Sequence, residues 1–201
     1  MKKMPCLLVR RFTGPNSFEL TDQITPGCEW VLNGEGTASR KWDGTSCAVI
    51  HGILFKRYDA KKKPDGTYKE APAGAIPCCE PDPVTGHHPH WVRCLFNNAA
   101  DQHHMQAWWN LLRFRKFHAP EDGTYELIGP PIGANAENVE CVMFKRHGDT
   151  VLEVLRTVEG ITHFLHTNMM EGVVFAHRDG RMCKIRRKDF GLPWGNAKVK
   201  Q

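Results

Sequence analysis

Arg40-Lys41-Trp42-Asp43-Gly44-Thr45 puts one lysine at the end of a strand, beside an acid and a glycine turn. A lysine so placed is either a solvated surface charge or a nucleophile presented where a phosphate can approach the backbone. What flanks it has to decide. Downstream, Thr45-Ser46-Cys47-Ala48-Val49-Ile50 reads as a strand, the His51-Gly52 turn reverses the chain, and Ile53-Leu54-Phe55-Lys56-Arg57 returns it. The pattern predicts a β-meander with Asp43-Gly44 as its first tight turn. Upstream, Cys6 to Phe12 and Trp30-Val31-Leu32 read as strands, with Pro15, Pro26 and Gly27 as punctuation between them.

Beyond residue 60 the pattern changes. Residues 60–90 read as a long loop, with Lys61-Lys62-Lys63-Pro64-Asp65-Gly66 followed by prolines at 72, 77, 81, 83 and 89. A loop of that length is ordinarily functional or disordered, and its aromatic and Cys/His content points to an ordered one. Asn98 to Phe117 is the clearest helix. Met105, Trp108, Trp109 and Leu112 recur along it as a core stripe, and Asn98 or Asp101 is placed to cap it. Tyr125 to Ile128 reads as a buried strand closed by Gly129-Pro130-Pro131, and Val139 to Lys145 as another. Thr157 to His166 reads as a second helix with Ile161, Phe164 and Leu165 facing inward. Glu171 to Ala176 and Arg181 to Arg186 form a final hairpin about Asp179-Gly180. Many short strands with two helices predict an α+β fold dominated by antiparallel sheets.

The 201 residues, 41% hydrophobic and 24% charged, suit one domain, or one domain with a small subdomain, and no apolar run reaches membrane-spanning length. Met1-Lys2-Lys3 has the basic start of a signal peptide, but the apolar stretch behind it is too short and runs into Arg10-Arg11. Eight scattered cysteines without a C-x-x-C spacing read as reduced thiols of an intracellular protein. The net charge of +5 is unevenly spread. Residues 178–201 hold eight basic side chains (Arg178, Arg181, Lys184, Arg186, Arg187, Lys188, Lys198, Lys200) and two acids, a net of +6 that leaves the rest of the chain at −1. A basic end on a near-neutral body points to a polyanion partner or to a solvated tail.

Charged residues also interrupt the apolar strands, in the order Lys41 and Asp43, Arg57, Glu126, Glu171, Lys184 and Arg186. Lys184 and Arg186 flank Ile185 and therefore share a strand face. Charges at sheet positions need partners or water. If these converge, a lysine, further cations and three carboxylates line one pocket, which a nucleoside triphosphate with a divalent metal would satisfy. If they do not, each sits on a solvated face.

In that order the residues resemble the covalent nucleotidyltransferase superfamily of ATP-dependent ligases and capping enzymes. Lys41-Trp42-Asp43-Gly44 is similar to its K-x-D-G nucleophile motif, and Arg57 falls where the family's following arginine lies. Tyr125-Glu126-Leu127 resembles the third motif, Glu171-Gly172-Val173-Val174 the fourth and Lys184-Ile185-Arg186 the fifth, over roughly residues 34–190. Gly34-Glu35-Gly36, Asp82-Pro83-Val84-Thr85-Gly86-His87 and the run from Asp179 to Gly191 are similar to the compact 5′–3′ RNA ligases of vertebrate and viral type. The resemblance implies a single adenylation domain over residues 1–201, with antiparallel sheets flanked by helices about an ATP cleft. Residues 60–90 would be an insertion over the active site. The chain runs on too briefly past the fifth motif to hold the C-terminal OB domain of DNA ligases and capping enzymes.

The same resemblance makes Lys41 the nucleophile that attacks the α-phosphorus of ATP, expels pyrophosphate and becomes lysyl-AMP. The AMP then passes to an RNA 5′-phosphate, and a 3′-hydroxyl displaces it. A free lysine has a pKa of about 10.4, so burial and the nearby Lys184 and Arg186 are expected to favour a neutral Lys41. Lys184 and Arg186 are expected on the phosphates. Related ligases often carry a second lysine where Arg186 stands, and a guanidinium forks onto phosphate oxygens, so Arg186 is expected as a contact and not a proton carrier. Glu171 and Asp43 are expected to hold Mg²⁺ or Mn²⁺, Glu126 to accept from ribose hydroxyls and Arg57 to hold the ribose and phosphate side. Phe144 is expected over the adenine, with a core phenylalanine as the other reading, and backbone groups near Arg40 and Trp42 are expected to read the base. The implied partners are RNA 5′-phosphate and 3′-hydroxyl ends, with no obligate protein partner. The alternatives are a GTP-dependent guanylyltransferase of the mRNA-capping type and a non-catalytic RNA-binding protein.

Cys78, Cys79, His87, His88, His90 and Cys94 form a candidate zinc set, but their spacings match no common structural pattern, and adjacent Cys78 and Cys79 make a poor pair for one ion. A loop whose histidines contact phosphate is the better reading. His103 and His104 are expected on the polar face of the helix, and His163 and His166 at the surface.

Overall fold

The structure, a computed structural model, describes residues 3–14, 17–115, 118 and 120–195. In chain order its elements are β1 (Leu8–Gly14), β2 (Ser17–Ile24), β3 (Thr37–Lys41), β4 (Thr45–Ile50), β5 (Ile53–Asp59), β6 (Ile76–Pro77), β7 (Pro89–Arg93), α1 (Gln102–Phe114), β8 (Gly123–Ile128), β9 (Met143–Arg146), α2 (Val158–Thr167), β10 (Gly172–Ala176) and β11 (Met182–Arg186). These strands pair antiparallel throughout, so the fold is mixed α+β, as expected. No described helix is long and apolar enough to cross a membrane.

The chain divides into two compact units. One comprises Met4–Asp43 and His147–Gln201, with the hairpin β1-β2 and a three-stranded sheet in the order β11-β10-β3. One face of that sheet is core: Ala38, Val173, Phe175, Cys183 and Ile185 are buried with Trp30 and Val31 and with Ile161 and Leu165 of α2. The Thr157 hydroxyl caps α2 by accepting from the Gly160 N–H at 3.0 Å. Because strand residues alternate, the opposite face carries Ser39, Lys41, Gly172, Val174, Lys184 and Arg186.

The other unit, Met1–Lys3 and Gly44–Arg146, is built on a six-stranded sheet in the order β6-β7-β5-β4-β8-β9. Met105, Ala107 and Trp108 of α1 bury one face of it against Cys47, Val49, Leu54, Tyr125 and Leu127. Ala48, Phe55 and Trp91 form a smaller cluster. The 60–90 segment carries β6 and the start of β7, and the rest of it is irregular chain pinned by the bridges Lys62↔Tyr68 and Asp82↔His87.

Several local expectations change. Asp43-Gly44 is not a hairpin turn: β3 pairs with β10 and β4 pairs with β5 and β8, so the chain changes sheets there. A Cβ on Gly44 would lie 2.1 Å from the Leu127 carbonyl oxygen, which only glycine avoids. The His51-Gly52 turn holds, both residues having positive φ. Trp30 belongs to a 3-10 turn (Glu29–Val31), not a strand, and its indole N–H donates to the Gly27 carbonyl at 3.1 Å. The strand expected from Val139 begins only at Met143. The expected first helix opens as a 3-10 turn (Ala99–Asp101) capped by Asn98, while Asp101 turns its carboxylate to Lys56. Trp108 is core as expected, but Trp109 is 49% exposed. Residues 116 and 117 of that helix, Pro15 and the basic Lys198 and Lys200 lie outside the described residues.

The basic end is not a free arm in its described part. Arg187 is buried, and its guanidinium donates to the carbonyls of Leu165, Asn168 and Pro193, closing off the end of α2. Arg181 pairs with Asp179.

Candidate functional site

The three-stranded sheet sets a row of residues across its open face. Lys41 stands opposite Gly172, and Gly172 opposite Arg186. The next row on the same face is Ser39, Val174 and Lys184. Gly172 leaves the centre of the first row without a side chain, and a Cβ there would lie 2.2 Å from the Ile185 carbonyl oxygen. At the entry to β10, Glu171 accepts from Lys41 Nζ in an ion pair whose side chains are only 18% (Lys41) and 8% (Glu171) exposed. Lys41 Nζ also lies 3.4 Å from the Trp42 carbonyl.

Burial pushes the Glu171 carboxyl above its usual range, the neighbouring Asp43 adds to the rise, and Lys41 opposes it. Lys184 is pulled down to about 8, first by burial and then by the cations of Lys41 and Arg186. Its backbone bonds to Pro5 and Leu7, while its ammonium has no hydrogen-bond or ion-pair partner among the described residues. Lys41, expected as a free amine, donates to Glu171.

Arg186 is held rather than free. Its Nη2 and Nε reach Asp189 at 3.0 and 3.3 Å, and Arg10 Nη2 reaches the same carboxylate at 2.7 Å. Burial alone would raise Asp189, but the two guanidinium groups hold it below the usual carboxylate range. Asp43 accepts from the Trp194 indole N–H at 2.7 Å, and the Arg40 guanidinium lies 4.2 Å above the Trp42 ring. Arg10, Asp189 and Trp194 were not anticipated. Asp189 stood within a quoted motif run three residues from Arg186, and only long-range pairing brings Arg10 to it as well. Glu171 and Asp43 fit a hard divalent ion: they are carboxylates close enough that one raises the other's pKa.

The six-stranded sheet arranges the remaining expected residues. Lys56 pairs with Cys47, so Arg57 and Ser46, next along their strands, share the opposite face. Ser46 pairs with Glu126, and Glu126 with Lys145, on that face. Arg57 Nε and Ser46 Oγ are buried polar atoms without hydrogen-bond partners among the described residues. Ser46 was overlooked; its signal was its place directly behind the nucleophile motif. Phe144, expected over the adenine, pairs with Leu127 and so points to the other face, where it packs on Tyr125 and the core beneath α1.

The six-residue zinc set does not converge. His87 pairs with Asp59, the His88 N–H donates to Asp59 at 3.1 Å, and His90 lies 2.9 Å from the His88 carbonyl. Among the described residues, metal-ligating atoms gather at Cys94, Asp101 and His104. His104 is thus buried, not on the polar face. Burial lowers it to about 4 and raises the Cys94 thiol to about 12, around an Asp101 already paired with Lys56. His163 and His166 are exposed, as expected.

No family model matches the chain, and no curated protein matches it in sequence. What the fold and the site define is therefore a class: an α+β protein that presents a lysine–glutamate pair and a second lysine on one sheet face.

Proposed function

We propose that the protein is an ATP-dependent RNA ligase that joins 5′-phosphate and 3′-hydroxyl ends through an AMP carried on Lys41. The observation that carries this reading is the gathering of Lys41, Asp43, Glu171, Lys184 and Arg186 about two neighbouring rows on one sheet face, beside Gly172. The order of the motifs in the sequence supports it too. Glu171 and Asp43 would hold a divalent ion, which when bound supplies positive charge against the triphosphate. Lys41 Nζ must lose a proton before it attacks, and the cations beside it favour that loss. The amine then forms an N–P bond at the α-phosphorus while the bond to pyrophosphate breaks. Lys184 and the Asp189-held Arg186 neutralise the phosphate oxygens. The AMP is passed to an RNA 5′-phosphate, and a 3′-hydroxyl displaces it as the strands join.

Incubation with ATP and Mg²⁺ followed by intact mass tests the reading. One AMP should add to the wild type and none to Lys41→Ala. A nicked RNA should then be sealed. Labelling by GTP in place of ATP would favour a guanylyltransferase, and labelling by neither would remove the proposal.

A further inference from the structure

The exposed face of α1 has an unusual composition. Gln102, Gln106, Trp109, Asn110 and Arg113 recur at the spacing of one helical face, and with Phe96 they line a groove of about 680 Å³. A helix face turned to water ordinarily carries charged side chains of both signs. The 13 residues of α1 include no acid. Trp109 is 49% and Phe96 67% exposed, with ring centroids 6.0 Å apart and planes at 51°. Arg113 has no ion-pair partner among the described residues.

Aromatic, amide and guanidinium side chains without carboxylates match one partner chemistry. Unpaired nucleobases stack on aromatic rings, their edges bond to Gln and Asn, and phosphates attract Arg. An apolar protein segment would instead bury the amides of Gln106 and Asn110 against groups that cannot bond them, which is costly; Gln102 already reaches the His103 ring at 3.2 Å. We infer that this groove binds single-stranded RNA, with Phe96 and Trp109 as stacking surfaces and Arg113 on the backbone phosphate. The choice of RNA over other polynucleotides rests on the ligase reading.

The test is fluorescence anisotropy of a short fluorescein-labelled oligouridylate titrated with the full chain, beside a blunt RNA duplex of equal length. The single strand should bind more tightly than the duplex. Trp109→Ala and Phe96→Ala should each weaken it about tenfold, as loss of one stacked base does, while Trp109→Tyr keeps most of the affinity. Both rings are exposed, so thermal melts should be unchanged. A wild type that binds no single strand, or alanine variants that bind as well as wild type, overturns the inference. So does a Trp109→Ala variant that changes sedimentation but not RNA affinity, which would mark a protein-docking face. AMP transfer to Lys41 is read on the same samples. Its absence with RNA binding intact counts against the ligase reading alone, and its presence with the alanine variants silent counts against the groove alone.

Discussion

Lys41 and Glu171, 130 residues apart in the chain, meet as an ion pair between the end of β3 and the entry to β10. Neither side chain has much access to water, so removing one strands the other. Loss of one member of a buried pair costs about 3–5 kcal/mol, while apolar replacement of both is often neutral. Lys41→Ala should therefore lose AMP labelling and also unfold at lower urea. Lys41→Met combined with Glu171→Leu should recover most of that stability and none of the labelling. A double variant no more stable than Lys41→Ala would show that the unpaired carboxylate is not the source of the loss.

Lys184 gives the chain a pH dependence of definite sign. The unfolded lysine titrates near 10.5 and the folded one near 8, so between those values the unfolded chain holds more protons and stability rises with pH. Below about 8 the cost of burying the ammonium is fully present. Nucleotide binding runs the other way, because a triphosphate favours the charged form. ATP affinity should fall as pH rises through about 8, and binding just above that pH should take up a proton. Calorimetry in buffers of different ionisation enthalpy measures the uptake. If Lys184→Met takes up as much as wild type, the titrating group lies elsewhere.

What the sequence made legible was whatever depends on near neighbours. The His51-Gly52 and Asp179-Gly180 turns, the second helix, the buried strand β8 and the final hairpin β10-β11 follow from local pattern. Long-range pairing was not legible. β3 bonds to β10 and not to β4, which undoes the expected turn at Asp43-Gly44. Arg10's pairing with Asp189 and Arg187's place at the end of α2 depend on packing that local pattern does not encode. His104 was misplaced for a simpler reason: it adjoins the Met105 and Trp108 stripe, and a helix buries an arc wider than one line of residues. The motif lysines and carboxylates were legible as residue types, but not which lysine would be paired and which depressed.

Asp189 ties Arg10 and Arg186 together, and its carboxyl is held below the usual range despite burial. Its contribution to stability is present above the unfolded value of 3.8 and is lost as pH falls through the lower folded value. Asp189→Asn leaves two guanidinium groups without their shared anion and should cost about 2–3 kcal/mol at neutral pH, the range for hydrogen bonds to charged groups. The gap between variant and wild type should close on acidification below 3.8. AMP labelling should slow as well, because Arg186 loses its fixed orientation. Urea unfolding across acid pH checks the first effect. A gap that stays constant with pH would mean that the carboxylate charge is not what stabilises.

Ser46 separates a binding face from a merely imperfect core. Its buried hydroxyl has no partner among the described residues and shares a sheet face with Glu126 and Arg57. A buried hydroxyl that makes no bond costs about 1–3 kcal/mol, so removing it should stabilise the chain by an amount on that scale. If a nucleotide ribose supplies the missing bond, the same change should weaken ATP binding about tenfold, one charge-neutral hydrogen bond's worth. Ser46→Ala is thus expected to raise the melting temperature and lower nucleotide affinity together. Higher stability with unchanged affinity would leave the face without a ligand role. Lower stability would show that the hydroxyl already has a partner, ordered water included. Arg57→Met is the companion measurement, since its Nε is orphaned on the same face and should respond in the same two directions.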